Sequence, residues 1–73
     1  MANKVTVRCV TANLQHSPKP EDNVVQYRFV QTKPPQGHPG DLFLEGAVAI
    51  YKAAPNTDFV VGNEYEMTLE EVR

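Results

Sequence analysis

From Glu64 to Glu70 the chain reads Glu-Tyr-Glu-Met-Thr-Leu-Glu, alternating polar and apolar residues at every step. Side chains on a strand point to opposite faces with period two. Tyr65, Met67 and Leu69 therefore fall on one face, and Glu64, Glu66, Thr68 and Glu70 on the other. The same apolar residues at spacing two would be scattered around a helix, so the stretch specifies a half-buried strand. A strand of this kind needs partners, and the rest of the sequence supplies them.

Lys4 to Thr11 is the first strand, with Val5, Val7 and Cys9 on one face and Thr6, Arg8 and Val10 on the other. Ala12 to Asn23 reads as a surface loop, because Pro18 and Pro20 remove backbone donors and Asn13, Ser17, Asp22 and Asn23 favour turns. Val24 to Gln31 is the second strand: Val25, Tyr27 and Phe29 share one face, and Val24, Gln26, Arg28 and Val30 the other. Thr32 to Gly40, with Pro34, Pro35, Gly37, Pro39 and Gly40, breaks the pattern. Alternation resumes from Asp41 to Tyr51, with Leu42, Leu44, Gly46, Val48 and Ile50 opposite Phe43, Glu45, Ala47, Ala49 and Tyr51. Gly46 marks a bulge, bend or turn within it, and the alanines make a short helix over Gly46 to Ala54 the competing reading. Lys52 to Asp58 is a loop leading into Phe59. The expected fold is all-β: a small antiparallel sheet or barrel of four to five strands, forming one domain over residues 1–73.

A chain of 73 residues is near the lower limit for an unaided hydrophobic core. Cys9 is the single cysteine, so no intrachain disulfide adds to that core. Its alternation with Val5 and Val7 makes it a small buried hydrophobe, and a reducing cytoplasm is the expected location. Met1 to Lys4 runs directly into strand pattern, which predicts neither a signal peptide nor a membrane span. The net charge of −2 argues against a surface generally suited to phosphate backbones. Glu64, Glu66, Glu70 and Glu71 gather late in the chain and Lys4, Arg8, Lys19, Arg28 and Lys33 lie early. Pairing of outer charges between neighbouring strands accounts for that asymmetry.

No cluster amounts to an active site. His16, His38 and Asp41 are of metal-ligand type but match no ligand spacing. Ser17, the only serine, sits between His16 and Pro18 in a loop with no third orienting group and no pocket around it, and Glu64, Glu66 and Glu70 read as the solvated face of a strand. Tyr27-Arg28-Phe29 has the composition of a nucleic-acid platform, but alternation places Arg28 opposite the two aromatics. Pro39 interrupts Gly37 to Gly40, removing an N–H that a phosphate cradle needs. No catalysis, metal or cofactor is expected from these residues.

Protein contact is the reading that survives. Val24 and Val30 on the second strand, with Phe43 and Tyr51 on the third, place more apolar surface on the outer side than so small a sheet requires. Either the sheet closes into a barrel or a second chain covers that surface, and these four residues are the candidate binding residues. A protein partner or self-association follows from the second alternative.

The stretch Phe59-Val60-Val61-Gly62-Asn63-Glu64-Tyr65-Glu66-Met67 resembles the end of small proteins encoded by tailed bacteriophages, which close on phenylalanine, glycine and tyrosine at this spacing. The early Lys4 to Thr11 strand and Pro39-Gly40 ahead of Asp41 to Leu44 share the likeness; Pro34-Pro35 departs from it. The resemblance implies an accessory protein that binds and inhibits a host protein, such as a defence component, in the host cytoplasm. It also implies one alternative, a structural or decoration part of the virion; an oligomeric module binding a nucleotide is a third class, independent of the resemblance. The resemblance carries over no functional residues.

Overall fold

A computed structural model of the chain describes residues 3–33 and 42–72. Among these residues four antiparallel strands form one curled sheet resembling half a barrel. They are β1 (Asn3–Gln15), β2 (Val24–Gln31), β3 (Val48–Ala53) and β4 (Glu64–Leu69), in the spatial order β3-β2-β1-β4. A 3₁₀ turn, Pro20–Asp22, lies between β1 and β2. Among the described residues the strands β3 and β4 occupy opposite edges and the sheet does not close.

The long first strand serves two neighbours in succession. Its first half pairs with β4, from Asn3 opposite Leu69 to Arg8 opposite Glu64. Its second half pairs with β2, from Val7 opposite Gln31 to Gln15 opposite Val24. The register slips between Cys9 and Thr11, which leaves Val10 as the extra residue of a β-bulge. A bulge bends its strand and increases the local twist, and here it curls the sheet over its inner face. It also shifts the apolar phase from Val5, Val7 and Cys9 to Ala12 and Leu14, which oppose the inner residues Tyr27 and Val25.

The inner face carries the core. Val5, Val7, Cys9, Val25, Tyr27 and Phe29 are buried, and Leu42, Leu44, Ile50, Phe59, Tyr65 and Met67 pack against them. Phe59 sits among Tyr27, Phe29 and Tyr65 in edge-on contact with all three, at centroid distances of 5.1, 5.2 and 5.2 Å. Edge-to-face geometry brings the positive rim of one ring to the negative face of the next. The two tyrosine hydroxyls then bind the connecting loop: Tyr27 lies 2.9 Å from the Asn56 carbonyl, and Tyr65 accepts the Val60 N–H at 2.8 Å.

Val24–Gln31 and the last strand form where the alternation places them. Two strands, the first and the third, have other bounds than the sequence reading gave them. The first strand continues past Thr11 to Gln15, because β2 supplies a paired residue for each of Ala12 to Gln15; the loop shrinks accordingly to residues 16–23. The third strand, expected over Asp41 to Tyr51, runs instead from Val48 to Ala53. Gly46 takes the left-handed φ of 77° and stops the alternation from continuing as one strand. The competing helix over Gly46 to Ala54 does not form, since the β2 edge offers a full ladder that outweighs the small helical preference of alanine. The greater part of the Pro/Gly-rich break, and Asp41, lie outside the described residues.

Leu42 to Leu44 is held by substitutes for a strand. The Leu42 N–H donates to the Lys4 carbonyl at 3.0 Å, beyond the point where β2 leaves β1. The Gln31 side chain does the rest: its Nε2 donates to the Leu42 carbonyl at 3.1 Å, and its Oε1 accepts the Leu44 N–H at 2.9 Å. A carboxamide presents the same donor and acceptor as a peptide group, so Gln31 stands in for one more residue of ladder. Gln31→Leu removes both bonds. Hydrogen exchange at the Leu44 amide is expected to accelerate about tenfold, consistent with a loss of about 1 to 1.5 kcal/mol, while Tyr27 and Phe29 amides still exchange only through global unfolding. Phe59→Ala opens the centre of the ring cluster and is expected to cost about 3 kcal/mol, enough to unfold a core of this size. Circular dichroism without denaturant detects the unfolded Phe59→Ala chain, and a urea melt measures the smaller loss in Phe59→Leu, which is expected to stay folded.

Candidate functional site

The outer face of β2 and β3 holds two of the four candidate residues together. Val24 opposes Ala53 and Gln26 opposes Tyr51, so Val24 and Tyr51 are diagonal neighbours on one face. Tyr51 is 56% exposed and Val24 is half-buried. Beneath them runs a polar row across three strands: Gln15 Nε2 donates to Gln26 Oε1 at 3.2 Å, and Gln26 Nε2 donates to the Tyr51 hydroxyl at 2.8 Å. Gln26 is buried, and both of its amide atoms are engaged. The row fixes the Tyr51 ring by its polar end and leaves the apolar body of the ring exposed.

Val30 and Phe43 stand apart from this pair. Val30 is opposite Arg8, toward the other end of β2, and half-buried. Phe43 is 71% exposed on the segment after β2, between two leucines whose side chains pack on the core.

Backbone direction follows from one bond. The Ala54 N–H donates to the Asn23 carbonyl at 2.9 Å, in continuation of the Val24–Ala53 register. Amides alternate along an antiparallel ladder, so those of Lys52, Ile50 and Val48 turn toward β2 and those of Ala53, Tyr51 and Ala49 turn away from it. The free edge of β3 thus presents N–H and C=O groups from the same residues whose side chains lie on the outer face.

The other edge has a different character. The outward side of β4 carries Glu64 and Glu66, which reach back across the sheet to Arg8 at 3.2 Å and Lys4 at 3.8 Å. This is the cross-strand pairing expected from the separated charges, and at such exposure each pair adds little to stability. On β3 the one charged residue is Lys52, on the inner side and bonded to Asp58 at 2.6 Å. That ammonium, with the Asn56 amide, holds the Asp58 carboxyl below its ordinary value.

The residues weighed for chemistry have structural surroundings. The Ser17 N–H donates to Asn23 Oδ1 at 2.7 Å and its hydroxyl oxygen faces the Lys19 N–H at 3.4 Å, both within the β1–β2 loop. His16 is exposed in that loop, and His38 and Asp41 lie outside the described residues. Among the described residues no three His, Cys, Asp or Glu side chains gather as a metal-ligand group. Tyr27 and Phe29 are buried, and Arg28 points to the opposite face. Cys9 is fully buried, its thiol directed to the Thr11 carbonyl at 3.6 Å, and burial pushes the thiol above its ordinary value. No helix among the described residues is long and apolar enough to cross a membrane.

Sequence reasoning missed the free β3 edge and the Gln15–Gln26–Tyr51 row. The phase change from Cys9 to Ala12 and Leu14 was a readable signal for the bulge; the polar row has no signature without the register. The chain matches no family model, no curated protein and no solved structure.

The Asp58 shift has a sign that can be checked. A depressed carboxyl contributes stability above its unfolded value and loses that contribution as pH falls through its folded value. Asp58 is expected to titrate by NMR below an ordinary aspartate, and Lys52→Met to move its midpoint upward. An unchanged midpoint in Lys52→Met would place the cause elsewhere.

Proposed function

We propose that this protein is a protein-binding module, acting by contact and not by catalysis. The observation that supports it is the open β3 edge, with outward amides from Ala49, Tyr51 and Ala53 beside the Val24–Tyr51 apolar pair. Exposed edge amides are templates for an incoming strand, and proteins commonly guard them with charge, proline or a bulge. The outer face of β4 has such charge, in Glu64 and Glu66, whereas the outer face of β3 consists of Ala49, Tyr51 and Ala53. A closed barrel would have made the edge unavailable; among the described residues the sheet stays open.

The resemblance of the Phe59 to Met67 stretch to phage proteins is what supports a partner in the host cytoplasm, in the manner of an accessory protein that binds and inhibits a host defence protein. Capture from a bacterial lysate tests this reading. The immobilised protein is expected to retain a discrete host protein, and Val24→Glu, checked by circular dichroism for an unchanged fold, to release it. A wild-type protein that retains none, as expected of a virion part, would overturn the host-directed reading.

A further inference from the structure

The geometry points to a second copy of this chain as an occupant of the β3 edge, paired antiparallel about a two-fold axis through Tyr51; this rests on the protein-binding reading above. In a two-fold strand pair each residue faces the residue reflected through the axis, and hydrogen-bonded pairs form only between residues whose amides point outward. Those residues are Ala49, Tyr51 and Ala53. Centring the axis on Tyr51 matches Tyr51 with itself and Ala49 with Ala53 of the second copy, so every outward amide of the strand finds a partner. Centring it between Ala49 and Tyr51, or between Tyr51 and Ala53, leaves one of the three without a counterpart in β3.

Charge selects this edge over the other. A two-fold axis sets each residue at its centre against its own copy, and like charges directly opposite are destabilising. The Cys9 N–H bonds the Asn63 carbonyl, so by the same alternation the outward amides of β4 belong to Glu64, Glu66 and Thr68. Self-pairing of β4 about its middle outward residue sets Glu66 against Glu66. Self-pairing of β3 sets its one charge, Lys52, against Ile50 of the second copy, and that ammonium is already bonded to Asp58. The alanines keep the outer side of the junction low and leave room for the two Tyr51 rings, each held from behind by Gln26. The product is one continuous eight-stranded sheet built on a symmetric interface, whose remaining edges are the charged β4 strands.

Paired charge substitutions test both the dimer and its register by sedimentation over a range of concentrations. A49E/A53E places glutamates opposite one another twice, whereas A49K/A53E places a lysine opposite a glutamate twice, at the same exposed positions of the same strand. The first is expected to weaken self-association about tenfold or more and the second to preserve it. Tyr51→Cys adds a geometric readout: under mild oxidation it is expected to form a covalent dimer, and Ala49→Cys, which faces Ala53, is not. Equal behaviour of the two charge variants would overturn the register, and a wild-type monomer at every concentration would overturn the dimer. A wild-type monomer that still captures a lysate protein leaves the protein-binding reading standing; loss of both removes both.

Discussion

The β-bulge at Val10 is the constraint on which the rest of this structure depends. Without it, the inner face of β1 would keep the phase of Val5, Val7 and Cys9, and Ala12 and Leu14 would turn outward. With it, one strand curves enough to give β4 its first half and β2 its second. Only around Val7 and Arg8 do the two ladders overlap, so the buried residues Val7 and Cys9 lie where both neighbours converge. The core is small because it is confined to that crossing and to the rings that close over it.

A core of this size relies on side chains that do the work of backbone. Gln31 extends the ladder to Leu42 and Leu44, the tyrosine hydroxyls tie down the Asn56 and Val60 loop, and Gln26 joins three strands from the outer side. Each is a neutral amide or phenol at the boundary between core and solvent. A hydrogen bond there is partly shielded from water without the desolvation cost of a buried charge. The ion pairs among the described residues, by contrast, are well exposed and add little to the stability of the fold.

Period-two alternation made most of the sheet legible. It located β2 to the residue with its buried face, and β4 to within one with Tyr65 and Met67 packed on the core, whereas Leu69, expected on that same face, is 60% exposed at the strand end. It failed at Thr11, where a polar loop composition hid a strand that owes its existence to the register with β2. At Gly46 one positive φ divided an alternating run of which only the later part pairs. Leu42 and Leu44 still packed on the core beside Ile50, because side-chain phase survived where the ladder did not. The candidate site was legible only in part, for the same reason. Tyr51 and Val24 show in the sequence as surplus apolar residues on an outer face, but their neighbourhood and the direction of the edge amides exist only once β2 and β3 are aligned.

The division of β1 between two partners also sets an order of assembly. Its second half meets β2 through a short loop, at little closure entropy, whereas Asn3 meets Leu69 only after nearly all the intervening chain has been made. On the ribosome the β1–β2 hairpin can therefore form while the first half of β1 still lacks β4 and Tyr27 and Phe29 still lack Phe59 and Tyr65. During that interval the nascent chain displays its aromatic residues to solvent, and that exposure ends when β4 emerges and pairs.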